Sequence, residues 1–146
     1  MKNMAILVDT NIVLDWILKR QQFHQAATQV IEYCIRGEVK GYLAAHSILN
    51  VFFITRKDFS TIERQQLSKL RCSKFTIIGI THEMLLDVLN HKDFKDIEDG
   101  LQMECAANAK LDYIITRDTS GFQTSKVPAL LPQAFLEMLA QSNHSH

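Results

Sequence analysis

The sequence lacks the features that mark several common classes of protein. Its 146 residues contain only three cysteines, Cys34, Cys72 and Cys105, and their spacing suggests neither a zinc site nor a disulfide framework. No apolar run reaches the length of a membrane span, and residues 1–20 have no uninterrupted apolar region typical of a signal peptide. We therefore expect a protein of the reducing cytoplasm, without membrane association, whose cysteines are small core residues.

An excess of charge of either sign is also absent. The 16 Lys and Arg residues balance the 16 Asp and Glu residues, so the formal net charge is zero. A neutral chain has no global field that would attract nucleic acid or a membrane surface. A polyanionic partner would have to be held by local clusters of Lys and Arg or through bound metal ions.

What the sequence does contain is a regular alternation of strand and helix patterns. Short apolar or β-branched runs predict buried strands over residues 4–8, 39–44, 75–78 and 112–116, with a fifth near Val127. Apolar residues at helical spacing predict helices between the strands and a last helix after Leu131. This alternation predicts a three-layer α/β/α sandwich with a mostly parallel central sheet of four to five strands. We expect one domain over residues 1–140 and a frayed tail over residues 141–146.

Four aspartates fall where predicted strands or helices give way to turns. Asp9 and Asp118 directly follow the first and fourth strands, and Asp96 and Asp99 share one face of a helix start. If the first and fourth strands are neighbours, these carboxylates gather beyond the carboxyl ends of the strands, where parallel sheets bind ligands. They would repel one another unless a cation neutralised them. Oxygen ligands in this number predict a Mg²⁺ or Mn²⁺ site.

Each aspartate also has an explanation that requires no metal. Asp96 and Asp99 suit an N-cap and the positive end of a helix dipole. Asp9 and Asp118 suit ordinary turns. The convergence of all four on one edge of the sheet is what favours a metal site.

The order of these motifs resembles that of the PIN domain family, which includes VapC-type toxin ribonucleases. The resemblance begins at Leu7-Val-Asp-Thr-Asn11 and continues through Asp96-Ile-Glu-Asp-Gly-Leu-Gln102 and Ile114-Ile-Thr-Arg-Asp118. With the closing helix at Pro132, it covers nearly the whole chain. The first motif alone is weak, but the three motifs in this order are specific.

The resemblance implies roles for particular residues. The metal ligands and catalytic residues would be Asp9, Asp99 and Asp118, with Asp96 as an accessory acid and Thr10, Asn11 and Thr116 as supporting polar groups. The chain departs from the family in the third helix, where Asn50 stands in place of the usual glutamate. Asparagine can bind a metal through its carbonyl oxygen, but it removes a negative charge, so we expect a lower metal affinity. We expect Asp96 to restore that charge.

The reaction implied by the resemblance is hydrolysis of RNA phosphodiester bonds with Mg²⁺ or Mn²⁺ as cofactor. Because an acidic site repels phosphates, RNA would require cations nearby. The candidates are Arg117, Lys19, Arg20, Arg56 and Lys57, each of which is equally explained as a solvated surface charge. The resemblance also implies a role as the toxin of a toxin–antitoxin pair, an antitoxin partner and a homodimer.

Two other functions remain open from the sequence. Asn50 allows a protein that keeps the fold and binds RNA without cutting it. Asp9 also follows a first strand in the manner of the nucleophile of haloacid-dehalogenase-like phosphatases, with Asn11 at the position of that family's acid/base. However, Asp96 and Asp99 stand at a helix start, which does not fit the paired late acids of those phosphatases. His46 is interpreted as a bystander.

Overall fold

The centre of the molecule is a sheet of five parallel strands. The computed structural model describes residues 3–144. The strands are β1 (Ala5–Val8), β2 (Lys40–Ala44), β3 (Thr76–Ile78), β4 (Tyr113–Ile115) and β5 (Ala129–Leu130). Their order across the sheet is β3-β2-β1-β4-β5, and every neighbouring pair is parallel. The predicted α/β/α fold is confirmed, and β1 and β4 are neighbours, which is the condition under which Asp9 and Asp118 were expected to converge.

Seven α-helices flank the sheet within the described part of the chain. They are α1 (Thr10–Ile17), α2 (His24–Ile35), α3 (Ala45–Ile54), α4 (Thr61–Lys74), α5 (His82–Leu89), α6 (Ile97–Asn108) and α7 (Pro132–His144). Short 3₁₀ turns occupy Thr55–Lys57 and Thr119–Phe122. Helix α7 continues into the segment 141–146 that we expected to be frayed, and residues 145–146 lie outside the described range. No helix of residues 3–144 is long and apolar enough to cross a bilayer.

Helices cover both faces of the sheet. Successive side chains of a strand point to opposite faces, and Ile6, Leu7 and Val8 of β1 are each 0% exposed. Ile6 and Val8 pack in a cluster with α1, α2 and α7, whereas Leu7 packs with α5 and α6 on the other side. Burial on both faces explains why this strand reads as a continuous apolar run.

The three cysteines are free thiols, but they are not all core residues. Cys34 and Cys105 are buried, as predicted. Cys72 is exposed, so the prediction is wrong for this residue. The reason is that α4 packs through a narrow face whose buried member is the adjacent Arg71, and the next position on a helix points away from it.

The order of the strands changes direction between β1 and β4. From β1 the chain adds β2 and β3 on one side of the sheet, and α5 and α6 then carry it back to β4 on the other side. Val8 pairs with Ile115, so β1 and β4 end at the same edge. The amide of Asp9 donates to the Ile115 carbonyl at 3.0 Å. Ligands of parallel α/β sheets bind at such a switch point.

Candidate metal centre

Asp9 is a nearly buried carboxylate at the end of β1. It is 6% exposed and is the N-cap of α1, where its Oδ1 accepts a hydrogen bond from the Thr10 amide at 2.8 Å. Its Oδ2 accepts from the Thr116 hydroxyl at 2.9 Å, and the Gln102 side-chain amide donates to Oδ1 at 3.3 Å. Burial raises the pKa of the Asp9 carboxyl above its ordinary value, although the bonds from Thr116 and Thr10 oppose this shift. Asp9 is thus fixed in orientation by neutral donors.

A buried polar network continues behind Asp9. The Thr10 hydroxyl donates to the Ser47 hydroxyl of α3 at 2.9 Å, and Gln102 donates to Thr10 at 3.4 Å. Gln102 is 0% exposed, and its Oε1 has no hydrogen-bond partner among the described residues. Neither Ser47 nor Gln102 was predicted as a site residue. Gln102 could have been found, because it lies one helical turn after Asp99 and therefore on the same face.

Asp96 and Asp99 occupy different positions at the start of α6. Asp96 is exposed and is the N-cap, with its Oδ1 accepting from the Asp99 amide at 2.9 Å. The explanation as an N-cap therefore holds for Asp96. The Asp99 side chain is half-buried, and burial together with the negative charges of Asp9, Asp96, Glu98 and Asp118 raises its pKa to about 6. Among the acids of this site, Asp99 is thus the one whose pKa is raised by the largest number of neighbouring carboxylates.

Asp118 follows β4 and is exposed. Its amide donates to the Thr116 hydroxyl at 3.1 Å, so one threonine connects the two strand-end aspartates. The Asp118 carboxylate accepts a hydrogen bond from the Ser120 hydroxyl. A side-chain carbon added to Gly121 would lie 2.8 Å from an Asp99 carboxylate oxygen and 3.5 Å from an Asp118 oxygen. The absence of a side chain at Gly121 leaves open the space that these two carboxylates border.

Glu98 is an acid of this site that was not predicted. Its side chain is half-buried in the first turn of α6, and its negative charge raises the pKa of both Asp9 and Asp99. It also opposes the burial that lowers the pKa of His46, whose ring nitrogens are buried without a hydrogen-bond partner in the described chain. No sequence signal separated Glu98 from the helix-dipole acids common in a first turn.

The four predicted supporting residues divide into two asparagines and two threonines, which differ in their contacts. Asn50 is half-buried on α3, one turn after Ser47, and its side chain forms no hydrogen bond with the described residues. Asn11 is exposed in the first turn of α1. Thr10 and Thr116 are 5% and 0% exposed and both hydrogen-bond within the network around Asp9. The two threonines therefore support Asp9 directly, whereas the two asparagines remain available to a ligand.

The predicted cations divide into two groups. Arg117 and Arg20 converge on the buried Asp15, with Arg117 Nε 2.8 Å from Oδ2 and Arg20 Nη1 3.4 Å from Oδ1. Lys19 is exposed, with a left-handed φ of 53°. The other group, Arg56 and Lys57, is exposed in the 3₁₀ turn after α3, where the Arg56 guanidinium stacks on the Phe53 ring and donates to the Phe53 carbonyl at 3.0 Å. Arg117, Arg20 and Arg56 are therefore more constrained than solvated surface charges.

The oxygen atoms around Asp9 are suitable ligands for a hard divalent cation. Among the side chains that the structure describes, within residues 3–142, no basic group forms a salt bridge with Asp9, Asp96, Asp99 or Asp118. The groups that face the site are carboxylate, hydroxyl and amide oxygens, which are the ligands of Mg²⁺ and Mn²⁺. No three acidic, His or Cys side chains of the described chain are already gathered as a metal-binding group. Asp96 Oδ1 is held as an N-cap and Asp118 Oδ1 by Ser120, which leaves Asp118 Oδ2 bordering the space beside Gly121.

This architecture defines a class: a small α/β/α domain with aspartates after two adjacent parallel strands and at one helix start. A family model described as PIN domain matches residues 5–120. The chain belongs to the PIN domain family, and the resemblance drawn from its motifs is confirmed.

Solved structures share the fold at low sequence identity. A toxin–antitoxin complex from Klebsiella pneumoniae aligns with a TM-score of 0.63 and 22% identity, covering 87% of this chain and 97% of that chain. VapBC2 from Rickettsia felis, bound to a DNA fragment from its promoter, gives 0.64 and 13%, covering 88% and 98%. FitAcB from Neisseria gonorrhoeae gives 0.58 and 18%, covering 88% and 98%. No curated protein matches the chain.

Proposed function

We propose that this protein is a divalent-metal-dependent endoribonuclease that acts as the toxin of a toxin–antitoxin pair. The observation that carries the proposal is Asp9, a nearly buried carboxylate with no basic partner in the described chain and with Asp99 and Asp118 close by. Members of the PIN domain family are generally nucleases. A buried acid without a counter-charge is costly, and a bound cation would remove that cost.

The ligands would be Asp9, Asp99 and Asp118, with Asp96 as an auxiliary acid. When bound, Mg²⁺ or Mn²⁺ supplies Lewis acidity toward a phosphate oxygen and lowers the pKa of a bound water. Thr116 holds Asp9 in one orientation through its hydroxyl, and the same hydroxyl accepts the Asp118 amide. In the metal-free protein the pKa of Asp99 is about 6, so its carboxylate is ionised at neutral pH and available as a ligand, and one carboxylate of the site would orient the attacking water.

RNA would reach the acidic site along nearby cations. Arg117 stands between Thr116 and Asp118 in the chain, and 27% of its side chain is exposed although it pairs with Asp15. Arg20 and the exposed Lys19 extend this group, and Arg56 and Lys57 provide a second one. These side chains would bind phosphate groups without reading the base sequence.

Binding of RNA without cleavage is the second candidate, and Asn50 favours it. Asn50 carries no negative charge and forms no hydrogen bond with described residues, so the third helix contributes no carboxylate to the site. The phosphatase interpretation loses its support. Asp9 is nearly buried with both carboxylate oxygens hydrogen-bonded, which does not suit a nucleophile, and the chain belongs to another family.

A protein partner is proposed for the apolar surface of α3 and α4. Leu49, Phe53 and Ile62 are 70%, 61% and 67% exposed, which is unusual for large apolar side chains close together in sequence. We propose that the protein works in the cytoplasm and that an antitoxin or a second copy of the chain covers these side chains. Light scattering of the chain alone, and again after co-expression with the adjacent open reading frame, would distinguish a homodimer from a complex.

The proposed activity is tested by incubating single-stranded and structured RNAs with the purified chain in Mg²⁺ or Mn²⁺. We expect cleavage that EDTA abolishes and that Asp9→Asn lowers at least about 100-fold. The matched control is Asp58→Asn, the same change at an exposed position outside the site, which should cleave normally. RNA that stays equally intact with wild type and Asp9→Asn would refute the nuclease. Retained RNA binding in that case would favour the second candidate.

A further inference from the structure

Asp15 is a second buried carboxylate of this protein, and the metal ligands do not include it. It lies on α1, is 0% exposed, and is contacted by the guanidinium groups of Arg117 and Arg20. Arg117 Nε lies 2.8 Å from Asp15 Oδ2, and Arg20 Nη1 donates a hydrogen bond to Asp15 Oδ1 at 3.4 Å. Two cations therefore meet one anion at the base of the predicted RNA-binding surface.

Arg117 belongs to the strand end that carries the site. Its neighbour Thr116 donates to Asp9 and accepts the amide of Asp118, its other neighbour. The Arg117 side chain leaves the site, passes over the Phe23 ring at 4.0 Å and ends at Asp15. Each residue of the segment 116–118 is therefore held in place. Thr116 hydrogen-bonds to Asp9, Arg117 contacts Asp15 and Phe23, and the Asp118 amide hydrogen-bonds to Thr116.

The energetics do not favour a role for this ion pair in stability alone. Removing a carboxylate from water costs several kcal/mol, and well-packed apolar side chains often do as well or better in such places. A buried pair with one defined geometry does, however, fix the relative position of the two elements that it joins. Here those elements are α1, whose N-cap is Asp9, and the strand end that carries Asp118.

We propose that Asp15 is a positioning residue for the metal site: by holding Arg117, it fixes the backbone of Asp118 so that this carboxylate borders the space beside Gly121 opposite Asp99. The inference rests on the proposed metal-dependent function. It assigns Arg117 a task beyond contact with RNA phosphates. It also assigns Asp15 a role that its place in an amphipathic helix does not suggest.

Arg20 provides a matched control for this proposal. It contacts the same carboxylate, but it follows α1 and has no covalent proximity to Asp118. Loss of either arginine leaves Asp15 with one cation instead of two. Only the loss of Arg117 frees the strand end.

The test measures Mn²⁺ binding by titration calorimetry, with urea denaturation of the metal-free proteins alongside. We expect Arg117→Gln to weaken Mn²⁺ binding about tenfold and Arg20→Gln to change it less than about twofold. The sign is decisive, because removing a positive charge beside an acidic site should by charge alone tighten cation binding. Arg117→Lys keeps the charge but loses the planar group over Phe23, so it should also bind more weakly than wild type.

The possible outcomes distinguish the positioning role of Asp15 from the metal site on which that role depends. Unchanged or tighter Mn²⁺ binding by folded Arg117→Gln and Arg117→Lys would overturn the positioning role while leaving the metal site intact. Equal weakening by Arg20→Gln and Arg117→Gln would overturn it as well, because the effect would then follow the charge on Asp15. Wild type that binds no Mn²⁺ would overturn the metal site and the positioning role together.

Discussion

Asp9 and Asp15 are two buried carboxylates, one at the N-cap of α1 and one within it, and only Asp15 forms ion pairs with the protein. Asp15 meets two guanidinium groups supplied by the protein. Asp9 accepts hydrogen bonds from hydroxyl and amide donors and forms no salt bridge within the described residues, although the charge of Arg117 lowers its pKa without direct contact. Burial raises the pKa of both. Burial alone therefore does not distinguish a metal site from a structural ion pair, whereas a buried acid without a salt-bridge partner indicates a place for an external cation.

The largest expected effect on stability comes from replacing Asp15, the aspartate that pairs with two arginines. Asp15→Asn removes the anion between Arg20 and Arg117 and places an amide donor against guanidinium donors. Removing one partner of a buried pair typically costs about 3 to 5 kcal/mol. Because burial raises the pKa of Asp15 and both arginines are partly exposed, we expect about 2 kcal/mol.

The measurement is the free energy of unfolding in urea at neutral pH without metal. Asp87→Asn is the matched control, since Asp87 is an exposed aspartate on helix α5. It should stay within about 0.5 kcal/mol of wild type. A loss for Asp15→Asn no larger than the control's would show that the two arginines contribute nothing to stability.

The next effect is a dependence of stability on pH that arises from Asp99. Its pKa rises from 3.8 to about 6 in the folded protein. The folded state therefore holds a proton that the unfolded chain has released, and this contribution to stability is full below the unfolded pKa and is lost as pH rises through about 6. After discounting for partial exposure, we expect a fall of about 1 to 2 kcal/mol between about pH 4 and pH 7.

Urea unfolding of metal-free wild type and Asp99→Asn across this pH range isolates the contribution as the difference between them. Mn²⁺ should reverse the trend for wild type, because deprotonated Asp99 is a metal ligand in the proposed site. Identical pH profiles for wild type and Asp99→Asn would contradict the raised pKa.

A smaller effect, an increase in the free energy of unfolding, is expected when Asp9 is replaced. Asparagine is as good an N-cap as aspartate, and Asp9→Asn removes a buried charge that no basic side chain of the described chain pairs with. Without metal, the variant should be more stable than wild type by about 1 kcal/mol at neutral pH. With Mn²⁺ added, wild type should gain stability and the variant should not. A destabilised metal-free Asp9→Asn would mean that its hydrogen bonds outweigh its charge.

The sequence predicted the aspartates at the strand ends, but it did not predict the residues that surround them. Asp9 and Asp118 follow β-rich runs, and parallel strands end at a common edge, so their convergence could be deduced. Ser47, Glu98 and the pairing of Asp15 with Arg117 could not, because these contacts depend on how helices pack across the sheet. In an amphipathic helix, Asp15 reads as a solvated residue, and only the tertiary structure shows it to be fully buried.

The smallest expected effect concerns Asn50. Asn50→Glu would place a carboxylate on α3 one turn after Ser47, which contacts the network around Asp9. An added charge near partly exposed acids acts through a high effective dielectric, so we expect Mn²⁺ to bind only about threefold more tightly. The control is Asn108→Glu at the opposite end of α6 from Asp99, which should leave Mn²⁺ affinity unchanged. Equal gains from both variants would reflect net charge alone. Unchanged affinity in Asn50→Glu would place residue 50 outside the set of groups that the cation meets, and the proposed loss of metal affinity from asparagine at this position would be wrong.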